Sequence, residues 1–257
     1  MIKEIWLKEI KAELYTWKSM AWLLIASLLF SFTSYLLLTN KELSLLDQTE
    51  LLWLLGKIII GVGFLIVAID ASSLITSEFE KETAESLFLS PIRLKDFILG
   101  KLYAALTLWL LIYVVAIPYI FVASAGSHLA FAFLAYVLLL GTLGIVGFTL
   151  FIFAISLLYR SSKNTLTTSL ILLLVMAIPA LFASNLKNNS LASFLGSINP
   201  LDNIFSSLDN VLVDYQLSLT QNWHFILPLI IFCIITTGLL LYSLRVFKKQ
   251  GVIHLDV

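Results

Sequence analysis

Long apolar runs separated by short charged stretches dominate the chain, and six of the runs are long enough to cross a lipid bilayer. They cover Met20–Leu38, Leu51–Ile75, Phe97–Ala123, Leu129–Leu158, Leu166–Ala183 and Trp223–Leu244. About 20 residues at about 1.5 Å each span about 30 Å of hydrocarbon. Each run is expected to be helical, because a backbone in lipid must pair all its own N–H and C=O groups. Residues 1–19 follow a different rule. Ile2, Ile5, Trp6, Ile10, Leu14 and Trp17 recur at helical spacing between lysines and glutamates, the pattern of an amphipathic helix lying in the membrane interface. The plainer alternative is a charged flank of the first span.

Between the fifth and sixth spans, residues 184–222 form the longest loop, and its second half is patterned. Asn199 can cap a helix and Pro200 can occupy its first position. Leu201, Ile204, Phe205, Leu208, Val211 and Leu212 make one apolar stripe, opposite Asp202, Asn203, Ser206, Ser207, Asp209 and Asn210. Such a helix lies on or dips into the outer leaflet, or covers the outer mouth of a pathway between helices. The stripe suits either place.

Composition agrees with an all-α polytopic membrane protein, read as one transmembrane domain over residues 1–257. The chain is 60% hydrophobic and 12% charged, against about 25% charged in ordinary soluble domains; its mean hydropathy is +0.99. No cleavable leader is expected, since the first 19 residues are charged throughout and the first apolar run is long enough to remain as a span. Lys and Arg set the orientation. With the N-terminus inside, thirteen basic residues fall in cytoplasmic segments and only Lys41 and Lys187 outside, with Lys57 in a span. Both termini are therefore expected in the cytoplasm, with the protein in the inner (cytoplasmic) membrane.

Candidate chemistry is sparse. His128, His224 and His254 fall in a loop, at a span edge and in the tail, and the single cysteine, Cys233, lies in a span. There is no H-E-x-x-H, no G-x-S-x-G and no phosphate-binding G-x-x-x-x-G-K-[ST]. Catalysis by this chain has no motif to support it, and no cofactor or metal is expected to be bound by it. No basic patch with interleaved aromatics points to nucleic acid. Two ionisable residues lie within a span, Lys57 and Asp70, and residues of this kind are pathway candidates. Thirteen residues at about 1.5 Å separate them by about 20 Å, too far to pair. Snorkelling of Lys57 and local capping of Asp70 by headgroups, Ser72 or Ser73 is the competing explanation. Gly141, Gly144 and Gly147, with Gly61 and Gly63, read as close-packing positions, and Pro118 and Pro179 as kinks.

The remaining feature is Ser77 to Lys101, "SEFEKETAESLFLSPIRLKDFILGK", which holds nine of the 32 formal charges. Glu78, Glu82 and Glu85 share one helical face by spacing, and Ala84, Leu87 and Phe88 form an apolar patch beside it. Ser90-Pro91 ends that helix and starts the next. Arg93, Lys95 and Lys101 then mark the cytoplasmic boundary. The residues fit a docking knob for a cytosolic protein, or a solvated loop with basic flanks.

In order and spacing, Glu80, Lys81, Thr83, Glu85, Leu87, Ser90, Pro91, Gly100 and Lys101 resemble the segment between the second and third spans of ABC transporter permeases of the type-2 export class. Glu82 departs, since that family usually has glycine before the threonine. Asn199-Pro200-Leu201 resembles a recurrent Asn/Ser-Pro-Leu of the family's long outer loop. The resemblance implies that residues 77–90 form a coupling helix seated in a separate ATP-binding-cassette ATPase, with Glu78, Glu82, Glu85, Leu87, Phe88 and Pro91 at the contact. It further implies ATP and Mg on that partner, a second permease copy, and export of substrate across the membrane. Two rivals stay open: an ion- or proton-driven secondary transporter using Asp70 and Lys57, and a membrane anchor that recruits a cytosolic enzyme.

Overall fold

The computed structural model describes residues 2–14, 16–39, 48–81, 94–124, 129–186, 196–214, 218 and 220–249. Among these the main elements are α1 (Ile2–Leu14), α2 (Trp17–Thr39), α3 (Gln48–Glu80), α4 (Leu94–Ala123), α5 (Ala130–Tyr159), α6 (Ser162–Leu186), α7 (Pro200–Leu212) and α8 (Trp223–Lys249). No strand occurs among the described residues. Six helices, α2 to α6 and α8, are long and apolar enough to cross a membrane. The six runs read from the sequence each fall on one of them, and most extend further. The largest extension is in α3, whose 33 residues reach about 50 Å. That length carries it past about 30 Å of hydrocarbon. Ser77 to Glu80 are consequently the last turn of α3, and not the start of a separate helix. The remainder of the expected coupling helix, with Glu82, Glu85, Leu87, Phe88 and Pro91, lies outside the described residues.

Burial ranks the helices. Most of the apolar windows of α3 and α5 are covered by protein, 56% and 67%, against 22% for α2 and for α8. The pair α3–α5 is therefore the axis, with α4, α6 and α8 packed around it and α2 outermost. Small residues let the axis close. A Cβ at Gly63 or Gly141 would overlap the Trp109 indole, and one at Gly144 would meet Ile204 and Phe64. Trp109 is thus fully buried between α3 and α5, and its Nε1 donates to Thr142 Oγ1 at 3.0 Å. Gly147 receives Phe232 and Cys233 of α8 in the same way. Gly61 behaves differently, because nothing stands within 4 Å of where its Cβ would be. The helices run on through Pro118 and Pro179.

The amphipathic face of α1 is spent on protein. Ile5 sits on Gly100 of α4, and Trp6 Nε1 donates to Thr107 Oγ1 at 3.1 Å. Among the described positions Lys3, Glu4, Leu7, Lys8 and Lys11 are exposed. The helix begins on α4 and leads directly into α2, so it straps the N-terminal end of the bundle. That end, where Lys18, Glu78, Lys101, Arg160 and Lys163 lie, is called the basic end below.

Candidate functional site

At the basic end one base of the charged stretch, Lys101, is held inside the bundle. Lys101 is in the second turn of α4, and it is 1% exposed. A buried ammonium needs acceptors for all three donors, and it has them. Nζ donates to Glu9 Oε1 of α1 at 3.1 Å, Glu78 Oε1 of α3 at 3.3 Å and the Leu74 carbonyl at 2.5 Å. The Phe97 ring lies 4.8 Å from it. The basic boundary position expected for Lys101 is therefore a three-helix junction instead. Glu78, expected at a docking contact, lies with its side chain 17% exposed in that junction.

Two residues further along, Glu80 reaches α6. Its carboxylate accepts from the Ser162 backbone N–H at 2.7 Å and from Ser162 Oγ at 3.0 Å. An acid at a helix start satisfies free N–H groups and meets the positive end of the dipole. The Thr76 and Ser162 hydroxyls share a further hydrogen bond at 2.5 Å. The α5–α6 turn that presents Ser162 is tight, and Arg160 adopts φ 52° within it. Its guanidinium lies 5.1 Å from the Phe247 ring of α8, which also meets Phe79 edge-on at 5.5 Å. Residues 76–80 of α3 thus touch α1 and α4 through Lys101, α6 through Ser162, and α8 through Phe247.

Asp70 lies two turns deeper in α3, 3% exposed. Lys18 at the start of α2 donates to its Oδ1 at 3.0 Å and to Ser73 Oγ at 3.4 Å. Oδ2 accepts no hydrogen bond among the described residues. Ser72 and Ser73 donate to backbone carbonyls, Ile69 and Asp70 respectively. Asp70 therefore joins α2 to α3 through a lysine from the interface, a partner that the sequence reading did not name.

At the opposite end, α7 is inserted among α3, α5, α6 and α8. Leu201, Ile204, Phe205, Leu208, Val211 and Leu212 are all buried, and so are Asn203 and Ser207 of its polar face. Asn199 caps the helix by accepting from the Leu201 N–H at 3.1 Å, with Pro200 at its first position. Its Nδ2 donates to the Met176 carbonyl of α6 at 2.6 Å. Asn222 ties the polar face down, accepting from Ser207 and Asn210 and bonding to Tyr136. Lys57 of α3 lies 3.3 Å from the centroid of the Trp53 ring and 5.6 Å from that of Phe205, near Asp202 and Asp209 of α7. Lys57 and Asp70 belong to opposite ends of one helix, as their spacing requires.

Among the described residues no group of three or more His, Cys, Asp or Glu converges to hold a metal ion. The chemistry available is that of helix positioning by buried charge.

A model of the family described as ABC-2 family transporter protein matches residues 5–252. The chain belongs to that family. It is thus a multi-pass membrane protein and a permease by family. No curated protein matches it. The match takes in α1 from Ile5 onward, all six long helices and α7.

Within this ABC-2 protein, the sequence reading singled out Glu78 and Asp70 but missed Glu9, Lys18, Glu80 and Lys101 as their partners or neighbours at the basic end. One signal was present. Glu9 interrupts the apolar face of α1 between Trp6 and Ile10, and an acid on a face that becomes buried requires a base opposite.

Proposed function

We propose that this chain is the membrane-spanning permease subunit of an ATP-driven exporter whose ATPase is a separate cytosolic polypeptide. Family membership over residues 5–252 carries the reading. The chain has no phosphate-binding loop, so ATP and Mg would be bound by the partner. The docking element is the segment from Lys81 to Arg93, with Glu82, Glu85, Leu87, Phe88 and Pro91 at the contact. Support comes from its two attachments. The segment leaves the long α3 at a turn that contacts α4, α6 and α8 directly and α1 through Lys101, and it re-enters at the start of α4, the helix that carries Lys101. A displacement applied there has stiff routes into five helices. Glu78 serves at the base of the segment, inside the Lys101 junction.

In this account ATP closes the ATPase dimer, the docked segments of two permease copies move with it, and the bundles rearrange so that substrate leaves outward. The basic end faces the cytoplasm of the inner membrane, and α7 covers the outward end. Apolar faces of α2, α6 and α8 left exposed by the single chain, such as Leu28, Phe32, Leu174 and Ile234, are available to lipid or to a second copy. Spans that are apolar with scattered Ser, Thr and Tyr suit amphipathic or lipid-like cargo. Asp70 is held by Lys18, and Lys57 lies over Trp53. Both are engaged in helix positioning, which weighs against their serving as carriers of an ion-driven transporter.

Co-purification tests the reading. The full chain should capture the ATP-binding-cassette subunit co-expressed with it, and Glu82→Lys with Glu85→Lys should abolish capture while insertion is unchanged. Undiminished capture by the doubly reversed chain would refute the docking assignment.

A further inference from the structure

We infer that α1 is a charge-keyed strap that fixes the spacing between the two ends of the docking segment, with Glu9, Lys101 and Glu78 as positioning residues. The inference rests on the docking role proposed above and adds a control element to it. At 13 residues, α1 is too short to be stable on propensity alone. Its place is set by contacts: Ile5 against Gly100, Trp6 on Thr107 and Glu9 on Lys101.

The charges decide which seating is allowed. Along α1 and into the start of α2 an acid, Glu9, is followed by a base, Lys18; on the bundle they meet a base, Lys101, and an acid, Asp70. Exchanging the two clips would set Glu9 against Asp70 and Lys18 against Lys101, with Lys101 and Asp70 almost fully buried. Like-charge contacts of that kind exclude the wrong arrangement. Polarity therefore registers α1, together with the start of α2, in one direction and at one position.

Lys101 makes the strap relevant to the segment that follows α3. Its ammonium has three donors, and three acceptors use them: Glu9 from the strap, and Glu78 and Leu74 from the last two turns of α3. The end of α3 and the start of α4 are thus closed on each other by the same group that holds α1. Parting them breaks the junction that Glu9 needs, and lifting α1 leaves a buried donor of that junction without its acceptor. Strap seating and segment spacing are consequently linked.

The test uses the full chain in membranes, with Cys233→Ala so that an introduced cysteine is alone. Ile5→Cys, facing Gly100, should react slowly with a membrane-impermeant maleimide, and Lys8→Cys, on the exposed face, quickly. Glu9→Gln removes the charge at this position but keeps an oxygen that can accept, and it preserves the fold, because Glu78 still pairs with Lys101. It should raise the rate at position 5 by about tenfold, with position 8 unchanged. Glu9→Asp, which keeps the carboxylate, should keep labelling at position 5 slow. Equal rates with and without Glu9→Gln would overturn the strap. With the co-purified ATPase bound, Glu9→Gln should cut permease-dependent ATP turnover several-fold, and Glu9→Asp should leave it near the unmutated level. Released labelling with full turnover would overturn the positioning role. Failure of the unmutated chain to bind any ATPase would instead remove the docking reading, and this inference with it.

Discussion

Two lysines enter the bundle from opposite ends, and they are held by different physics. Lys101 is 1% exposed and gives all three donors to two carboxylates and a carbonyl from other helices. Lys57 is only partly buried and lies over an aromatic ring of its own helix, beside acids of α7. Buried charge at the basic end makes a rigid junction, because loss of any partner strands a charge in a low-dielectric site. The α7 end is held by apolar burial with a polar rim. Paired buried charge therefore holds the basic end, and apolar packing holds the α7 end.

The comparison can be broken most severely at Lys101. Lys101→Met should strand Glu9 and Glu78 and cost about 3–5 kcal/mol, seen as loss of the folded, monodisperse protein in detergent. At the other end the large effect should come from an apolar residue. Leu208→Ala in α7, fully buried, should cost about 2–5 kcal/mol, read as a lowered Tm. Between the ends, Gly63→Ala should drive a methyl into Trp109 and cost about 1–3 kcal/mol. Gly61→Ala, two residues away and facing open space, should leave the Tm unchanged or raised by the effect of up to about 1 kcal/mol that favours Ala over Gly in helices. Lys57→Met should be the mildest of the losses, about 1 kcal/mol, as for a cation–π contact of a partly buried group. A Lys57→Met loss as large as that of Lys101→Met would erase the distinction between the ends.

The architecture was legible because lipid leaves few options. Apolar runs of spanning length can only be helices, and all six appear. The α7 stripe and its Asn199 cap were also readable, since both are local. The choice between a leaflet and a place within the bundle was not. That depends on whether α3, α5, α6 and α8 leave a space for Phe205 and Leu208, which is a tertiary fact. The same limit governed the charges. Composition suggested that Lys101 marks the membrane boundary and that Glu78 faces a partner protein, since bases flank most spans and acids most often face water. Their actual relation spans 23 residues, and Glu9 is 92 residues from Lys101. No helical periodicity reports such distances. Only the acid on the buried side of α1 hinted at a hidden base.

ATP turnover by the co-purified ATPase, with the unmutated chain and with Glu82→Lys and Glu85→Lys together, tests the account most directly. Turnover that depends on this chain and falls to the level of the ATPase alone in the reversed chain, still inserted and folded, is the predicted result. Turnover that is unaffected by the reversal would contradict the claim that ATP is read through this segment.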